Sequence, residues 1–247
     1  MRVISLVPSI TETLIESGVN VVGRTRFCIH PAERVVDIKV VGGTKGVDWD
    51  KCVELKPDLV IFDKEENRAE MADACPYPWE AVHIQSLQDI APEFARLADR
   101  VESQSLAQSV EDWCASISAP KLSQANWEDV PGQIESLNNE LDNYKRIEYV
   151  IWRDPWMAVS RNTFVGSMLG QLGFEDLLPS HPTKYPVLKE ADMRRSDTFY
   201  LFSSEPYRFG RCAKKLKDEG FNGAIVDGEV YSWFGTRSMK ALSAFLG

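Results

Sequence analysis

Short apolar runs alternate with amphipathic segments along most of the chain, and this pattern predicts an α/β fold. Strand-length segments rich in apolar residues cover residues 2–7, 59–62, 147–152, 198–202 and 224–226, and residues 59–62 form a continuous apolar run. Runs of this length without polar alternation are typical of parallel strands that are buried on both faces. The segments between them carry apolar residues at helical spacing, so helices are expected to cover the sheets.

One amphipathic segment is much longer than the others. Ile90, Phe94, Leu97 and Val101 follow one another at three- to four-residue spacing, and the pattern continues towards residue 117. It predicts a single helix over residues 87–117 that connects two halves of the protein. Residues 134–141 are expected to add a further helical turn or two.

Several polar residues precede the predicted helices and are candidates for helix caps. Ser9 and Glu12 have the spacing of a capping box, in which each side chain bonds the backbone N–H of the other residue. Asp48 is expected to cap a short helix, and either Asn162 or Thr163 is expected to cap a helix that ends at residue 173.

The two halves of the chain repeat the same order of elements. Residues 3–7 and residues 149–152 each lead into a turn that contains proline, whereas residues 58–62 and residues 198–202 each lead into an acidic turn. Such a repeat predicts two similar α/β lobes with a cleft between them. Ligands of open α/β sheets lie at the carboxyl ends of the strands, so these turns would line the cleft. The leading interpretation is therefore a ligand-binding protein.

Composition narrows the possible functions and compartments. The 247 residues carry a net charge of -9, which argues against nucleic-acid binding because that requires a basic face. No apolar run approaches the ~20 residues needed to span a membrane. The first residues lead directly into a strand without a leader pattern, so a cytoplasmic location is expected if Met1 is the native start. A periplasmic location is the alternative if a leader has been removed.

Aromatic and cationic side chains are concentrated at the predicted strand ends. Aromatic rings provide flat apolar walls, and arginine provides a fixed fork for carboxylate or phosphate groups. This mixture suits a large, flat and partly polar ligand, although some of the aromatic residues are also expected to be core residues. The residues concerned are Trp152, Arg153, Trp156, Tyr207, Trp233 and Phe234.

Two further groups of residues are candidates for specific contacts. Cys28 and His30 lie in one loop and could approach a metal centre, although an ordinary loop role is the alternative. The five cysteines are scattered without metal-ligand or redox spacing. Glu65, Glu66 and Glu205 occupy equivalent turns of the two halves and could hold basic groups of a partner or ligand. Their alternative role is that of solvated residues at helix N-termini.

Six short motifs, taken together and in order, resemble those of a known family. They are RVISLVPSITET (residues 2–13), VGGT (41–44), LKPDLV (55–60), WRDPWM (152–157), SSEPY (203–207) and SWFGTR (232–237). The chain resembles the helical-backbone, or class III, substrate-binding proteins of ABC importers, and is most similar to their cobalamin-binding branch.

This resemblance implies two Rossmann-like lobes with a central cleft, joined by a long backbone helix. The implied boundaries are residues 1–86 for the N-terminal lobe, 87–146 for the helix and linker, and 147–247 for the C-terminal lobe. It implies non-enzymatic binding of cobalamin or a related metal chelate, such as haem or a siderophore, by a monomer that needs no cofactor. It also implies an ABC permease as partner, with Glu66 and Glu205 as docking residues and Glu70 as the alternative to Glu66.

The residues expected to contact the ligand come from both halves of the chain. His30 is the candidate metal-approaching residue. The expected ligand contacts are Pro8, Ser9, Arg26, Phe27, Cys28, Thr44, Glu66, Trp152, Arg153, Trp156, Glu205, Tyr207, Trp233, Phe234 and Arg237. Two other functions stay open at this point. One is a chelatase-like or corrinoid-processing enzyme, and the other is a protein that binds basic partners through its acidic turns.

Overall fold

The computed structural model of the protein describes residues 1–120, 130–138 and 144–246. The chain forms two compact units. Unit 1 comprises Met1–Ile84, Gln88–Ala115 and Phe234–Met239, and unit 2 comprises Gln85–Leu87, Ser116–Trp233 and Lys240–Gly247. The domain boundaries and the central cleft expected from the sequence stay predictions.

Unit 1 is built on a sheet of six strands. In chain order they are β1 (Val3–Ser5), β2 (Val21–Thr25), β3 (Lys39–Gly43), β4 (Gly46–Val47), β5 (Leu59–Asp63) and β6 (Trp79–Val82). The spatial order is β4-β3-β2-β1-β5-β6, and every neighbouring pair is parallel except β3 and β4. The helices are α1 (Pro8–Glu16), α2 (Ala32–Val35), α3 (Trp49–Val53), α4 (Ala69–Asp73), α5 (Ile90–Val101) and α6 (Gln104–Ser118).

Unit 2 is built on a second sheet of five strands. They are β7 (Gln133–Asn138), β8 (Arg146–Trp152), β9 (Met157–Val159), β10 (Thr198–Ser203) and β11 (Gly223–Val226). The spatial order is β7-β11-β10-β8-β9, with β8, β10 and β11 parallel and the two outer strands antiparallel. The helices are α7 (Phe164–Leu169), α8 (Ala213–Asp218) and α9 (Gly228–Ser232), and a last helix, α10 (Thr236–Leu246), begins in unit 1 and ends in unit 2.

The predicted α/β class and the internal repeat are confirmed by the strand order. In unit 1 the parallel strands run β1-β5-β6, and in unit 2 they run β8-β10-β11. The units differ in the direction of the strand that follows the Pro-containing turn. In unit 1, β2 pairs parallel with β1, whereas in unit 2, β9 pairs antiparallel with β8. Each unit therefore presents two comparable strand ends, those of β1 and β5 or of β8 and β10, at one edge of its sheet.

Two of the helix predictions are wrong. The segment expected as one helix over residues 87–117 is divided into α5 and α6, because Glu102 adopts a left-handed conformation with φ 55° and ends the first helix. Its apolar spacing continues through the break, so the pattern alone did not reveal it. Residues 133–138 form the antiparallel strand β7 rather than a helix, and residues 139–141 lie outside the described residues.

The helix caps were predicted with mixed success. Asp48 caps α3 by accepting a hydrogen bond from the Lys51 backbone N–H, and Thr163 caps α7 in the same way from Gly166. The capping box at Ser9 is wrong, because α1 begins at Pro8 with Val7 as its N-cap and without a side-chain cap. Proline at the first helical position has a preset φ and no N–H to satisfy, so it replaces the cap.

The two cores differ in character. Aromatic rings fill the core of unit 2, where Trp156, Phe202, Phe209 and Phe221 lie within one buried cluster. Mainly aliphatic residues of β1 and β5, such as Ile4 and Val60, fill the core of unit 1. None of the helices in the described parts of the chain has the length and apolar character that crossing a membrane requires.

The pairing of β10 with β11 depends on a glycine. Gly223 has φ +152° and lies opposite Tyr200, and a Cβ at this position would be 1.9 Å from the Tyr200 carbonyl oxygen. We expect Gly223→Ala to lower the free energy of unfolding by about 3 kcal/mol through backbone strain and displaced strand pairing, as measured by urea denaturation.

Gly210→Ala is the matched control for this substitution. A Cβ at Gly210 would meet no heavy atom within 4 Å, so the free energy of unfolding should change by less than ~0.5 kcal/mol. Equal effects of the two substitutions would contradict the role assigned to Gly223.

Candidate functional site

The carboxyl ends of the parallel strands in unit 1 bring together turns that are far apart in the sequence. Pro8 follows β1, Phe27 follows β2, Thr44 follows β3 and Glu66 follows β5. Because β3, β2, β1 and β5 run parallel, all four turns lie at the same edge of the sheet. This is the edge where ligands bind in open α/β sheets.

A buried asparagine holds three of these turns together. Asn67 accepts a hydrogen bond at Oδ1 from the Asp63 backbone N–H at 2.8 Å. Its Nδ2 donates to the carbonyl oxygens of Leu6 at 3.3 Å and Thr44 at 2.9 Å. One side chain therefore fixes the ends of β1, β3 and β5 relative to one another.

The acidic turn after β5 is shaped by a second buried polar residue. Asp63 Oδ1 accepts hydrogen bonds from the backbone N–H groups of Glu65 and Glu66, both at 2.8 Å. Burial raises the pKa of Asp63, and the two N–H donors oppose that rise because they stabilise the carboxylate. Desolvation likewise raises the pKa of Glu66, and the nearby Lys45 ammonium lowers it.

Exposed aromatic and cationic groups occupy the turn after β2. The Phe27 side chain is 46% exposed, and the Arg26 guanidinium lies 4.8 Å from the centre of its ring. A cation over an aromatic face at this distance is an attractive arrangement. The pair forms a flat surface with a fork of hydrogen-bond donors beside it.

The neighbouring cysteine faces the interior instead. Cys28 is fully buried, and its Sγ lies 3.1 Å from the Oγ1 atoms of both Thr11 and Thr25. Burial raises the pKa of the thiol and so disfavours the thiolate that would bind a metal. His30 is half-buried in the same loop. The described residues contain no cluster of three or more His, Cys, Asp or Glu side chains placed to hold a metal ion.

In unit 2, the turns after β8 and β10 bring two aromatic residues into contact. Trp152 is 39% exposed and meets Tyr207 edge to face, with the ring centres 5.6 Å apart. The end of β10 is tied to β8 by the Tyr149 hydroxyl, which donates to Ser203 Oγ at 3.2 Å. Glu205 is half-buried in the turn that follows.

Trp156 belongs to the core rather than to the surface. It is 6% exposed and stacks on Phe209, and its Nε1 donates to Glu190 Oε2 at 2.8 Å. Arg153 lies 4.7 Å over the Trp156 ring and donates to both carboxylate oxygens of Glu219, at 2.8 and 3.1 Å. These contacts give Trp156 and Arg153 structural partners within unit 2.

Three predicted ligand contacts near the C-terminus are also buried or paired. Trp233 and Phe234 are buried. Arg237 donates to both carboxylate oxygens of Glu12, from Nε at 2.9 Å and Nη2 at 2.7 Å. This pair joins the start of α10 to α1 in unit 1. Because the partners are 225 residues apart, no local pattern could have indicated it.

Sequence reasoning missed Asp63 and Asn67. A local signal was present, since Asp and Asn side chains after a strand commonly bond the backbone of the turn that follows. The acidic residues between them were noticed for their charge, whereas the two flanking residues fix the shape of the turn.

Comparisons with known proteins agree with this arrangement. The sequence profile of a family described as "Periplasmic binding protein" matches residues 3–193. Comparison with curated protein sequences gave no match. The family is described as one of periplasmic binding proteins, and similar solved structures are titled as vitamin B12 binding and heme binding proteins.

Three solved structures illustrate the similarity in fold. The periplasmic vitamin B12 binding protein BtuF of Vibrio cholerae has a TM-score of 0.66 at 15% identity, covering 99% of this chain and 94% of BtuF. The periplasmic heme-binding protein RhuT of Roseiflexus sp. RS-1 has a TM-score of 0.70 at 18% identity, covering 99% and 96%. IsdE of S. aureus, complexed with heme, has a TM-score of 0.71 at 12% identity, covering 99% and 97%.

The Glu12–Arg237 pair yields a test of the structural role assigned to Arg237. We expect Arg237→Met to lower the free energy of unfolding by about 3 kcal/mol, because it leaves the largely buried Glu12 carboxylate without its partner. Urea denaturation followed by circular dichroism measures this. The double variant Glu12→Gln/Arg237→Met should recover part of the loss.

Arg195→Met serves as the matched control, because Arg195 pairs with Asp197 on an exposed surface. Its denaturation midpoint should stay close to that of the wild type. If Arg237→Met behaved like this control, the pair would not be a structural anchor.

Proposed function

The chain belongs to the periplasmic binding protein family, and we propose that it binds cobalamin or a related metal chelate for an ABC importer. It acts as a binding protein rather than an enzyme, in agreement with its family and its structural neighbours.

The observation that carries the proposal is the set of exposed aromatic and cationic side chains at the strand ends of both units. In unit 1 this surface consists of the exposed Arg26 and Phe27. In unit 2 it consists of the exposed Trp152, which contacts the partly buried Tyr207. Exposed rings provide apolar area for a planar macrocycle, and arginine provides donors for its carboxylate or amide groups. Surfaces of this kind suit a large ligand with a flat body and a polar rim.

The similar structures support a metal chelate as the ligand class. Two of them are titled as binding vitamin B12 or heme, and a third is complexed with heme. Pro8 and Thr44 supplement the proposed contacts in unit 1, and His30 is the residue proposed to approach the metal. The predicted contacts that the structure buries or pairs are left out of the proposal, and they are Ser9, Cys28, Arg153, Trp156, Trp233, Phe234 and Arg237.

The proposal extends to the partner and the compartment. Glu66 and Glu205 follow β5 and β10, which occupy equivalent positions in the two sheets. We propose that they dock on basic groups of the permease and that Pro8, Thr44 and the aromatic residues remain available to the chelate. Delivery to a permease places this function in the periplasm, as the family description supports. We propose that the protein acts as a monomer.

Absorbance titration of the purified protein with aquocobalamin, cyanocobalamin and haem tests the ligand. We expect saturable binding of at least one of the three, with Phe27→Ala and Trp152→Ala each weakening it about tenfold through loss of aromatic contact. A spectral shift with aquocobalamin that His30→Ala abolishes would identify His30 as a cobalt ligand.

Trp79→Ala is the matched control for the aromatic substitutions. Trp79 is 45% exposed, similar to Trp152, but it begins β6 and so lies at the opposite end of its strand. Its removal should leave affinity unchanged. Failure to bind corrinoids, haem and ferric siderophores alike would refute the proposed ligand class.

The docking residues are tested by capture of the permease from detergent-solubilised membranes of the source organism. We expect the double variant Glu66→Gln/Glu205→Gln to reduce salt-sensitive capture of the permease at least tenfold, since it removes two charges that face basic groups. Glu111→Gln, on the exposed surface of α6, should capture the permease normally. Undiminished capture by the double variant would contradict the docking proposal.

A further inference from the structure

The amide of Asn67 uses all of its donors and an acceptor within the protein. The residue is 7% exposed, its Oδ1 accepts from the Asp63 N–H, and Nδ2 donates to two carbonyl oxygens. A primary amide has two N–H donors, so those of Asn67 are both satisfied. A buried side chain with this bonding pattern holds one position.

The groups that Asn67 binds belong to turns with different proposed partners. Leu6 and Thr44 belong to the turns after β1 and β3, which are part of the proposed chelate-binding surface of unit 1. Asp63 and Asn67 itself flank the turn that carries Glu66, the proposed docking residue. The same amide therefore contacts both functional regions of the unit.

A second hydrogen bond strengthens the connection between these regions. The Lys45 ammonium donates to the Glu66 carbonyl oxygen, and Lys45 is the neighbour of Thr44 in the turn after β3. The turn after β3 is thus fastened to the acidic turn at two points, once through Asn67 and once through Lys45. Displacement of one turn would break or strain both bonds.

We propose that Asn67 is a coupling residue that transmits ligand-induced ordering of the turns after β1 and β3 to the acidic turn at Glu66. A ligand that restricts the motion of Leu6 and Thr44 would restrict Glu66 through the shared amide. Ordering by one partner then reduces the entropy cost of ordering by the other, and the effect is reciprocal. This inference rests on the proposed function, because it assigns the two regions to a chelate and a permease.

The chemistry of the site requires an amide at this position. An aspartate at position 67 would keep an acceptor for the Asp63 N–H, but it would lose both donors and place a second carboxylate beside Asp63. An alanine would leave the Leu6 and Thr44 carbonyls and the Asp63 N–H without their partner. Asn67→Asp therefore removes the two bonds that Asn67 donates and keeps the bond that it accepts.

Amide hydrogen exchange, resolved to individual residues by NMR, tests the coupling. In the ligand-free protein, Asn67→Asp should accelerate exchange at the hydrogen-bonded N–H groups of Leu6, Glu65 and Glu66 about tenfold through loss of the two donor bonds. Lys45→Met should accelerate exchange at Glu65 and Glu66 less, because one of the two fastening points remains. Asn162→Ala, at an exposed asparagine of unit 2, should change none of these rates.

The second arm repeats the measurement with whichever of aquocobalamin and haem binds in the titration. In the wild type, saturation should slow exchange at Leu6 and also at Glu65 and Glu66. In Asn67→Asp the ligand should still slow exchange at Leu6, but the effect at Glu65 and Glu66 should be lost. Equal slowing at these two residues in both proteins would overturn the coupling.

The two arms separate failure of the coupling from failure of the proposed function. If no corrinoid, haem or ferric siderophore bound, the proposed function and the ligand-dependent half of the inference would both be overturned. The ligand-free arm would then still decide whether Asn67 fastens the acidic turn. Unchanged exchange in Asn67→Asp would overturn that claim directly. Asn67→Ala tests the same bonds, with circular dichroism confirming that each variant folds.

Discussion

Parallel pairing of the central strands is the constraint on which the rest of the structure depends. In unit 1, β1 pairs with β2 and β5, and in unit 2, β8 pairs with β10. Parallel neighbours end at the same edge of a sheet, so residues from distant parts of the sequence meet there without a dedicated motif. The parallel direction of the strands therefore brings the turns of each candidate site together, whichever side chains those turns carry.

Strand ends create a second requirement, because their backbone groups leave the ladder and still need partners. Asp63 and Asn67 supply those partners for the turns of unit 1. The Tyr149 hydroxyl and Ser203 Oγ join the ends of β8 and β10 in unit 2. Polar residues at this edge therefore divide into those that hold the turns and those that the turns present to a ligand.

Features that depend on residues close in the sequence could be predicted from it, whereas features that depend on distant residues could not. Buried strands such as β5 and β10 and the cap Asp48 depend on neighbouring residues, and the sequence pattern predicted them. The pattern gave Thr163 as one of two candidate caps, and the structure selects it over Asn162. The break at Glu102 was missed because the apolar spacing continues through it. The proposed site was predicted as a set of strand-end turns, but Asn67 was not among its residues.

The α/β class, the internal repeat and the position of the strand-end turns follow from the sequence alone, because apolar periodicity reports locally which segments are buried. The pairing of Arg237 with Glu12, the aromatic surroundings of Trp156 and the inward direction of Cys28 arise from tertiary packing. Arginine, tryptophan and cysteine are suited both to ligand contacts and to packing. Their roles depend on partners that become neighbours only when distant segments fold together.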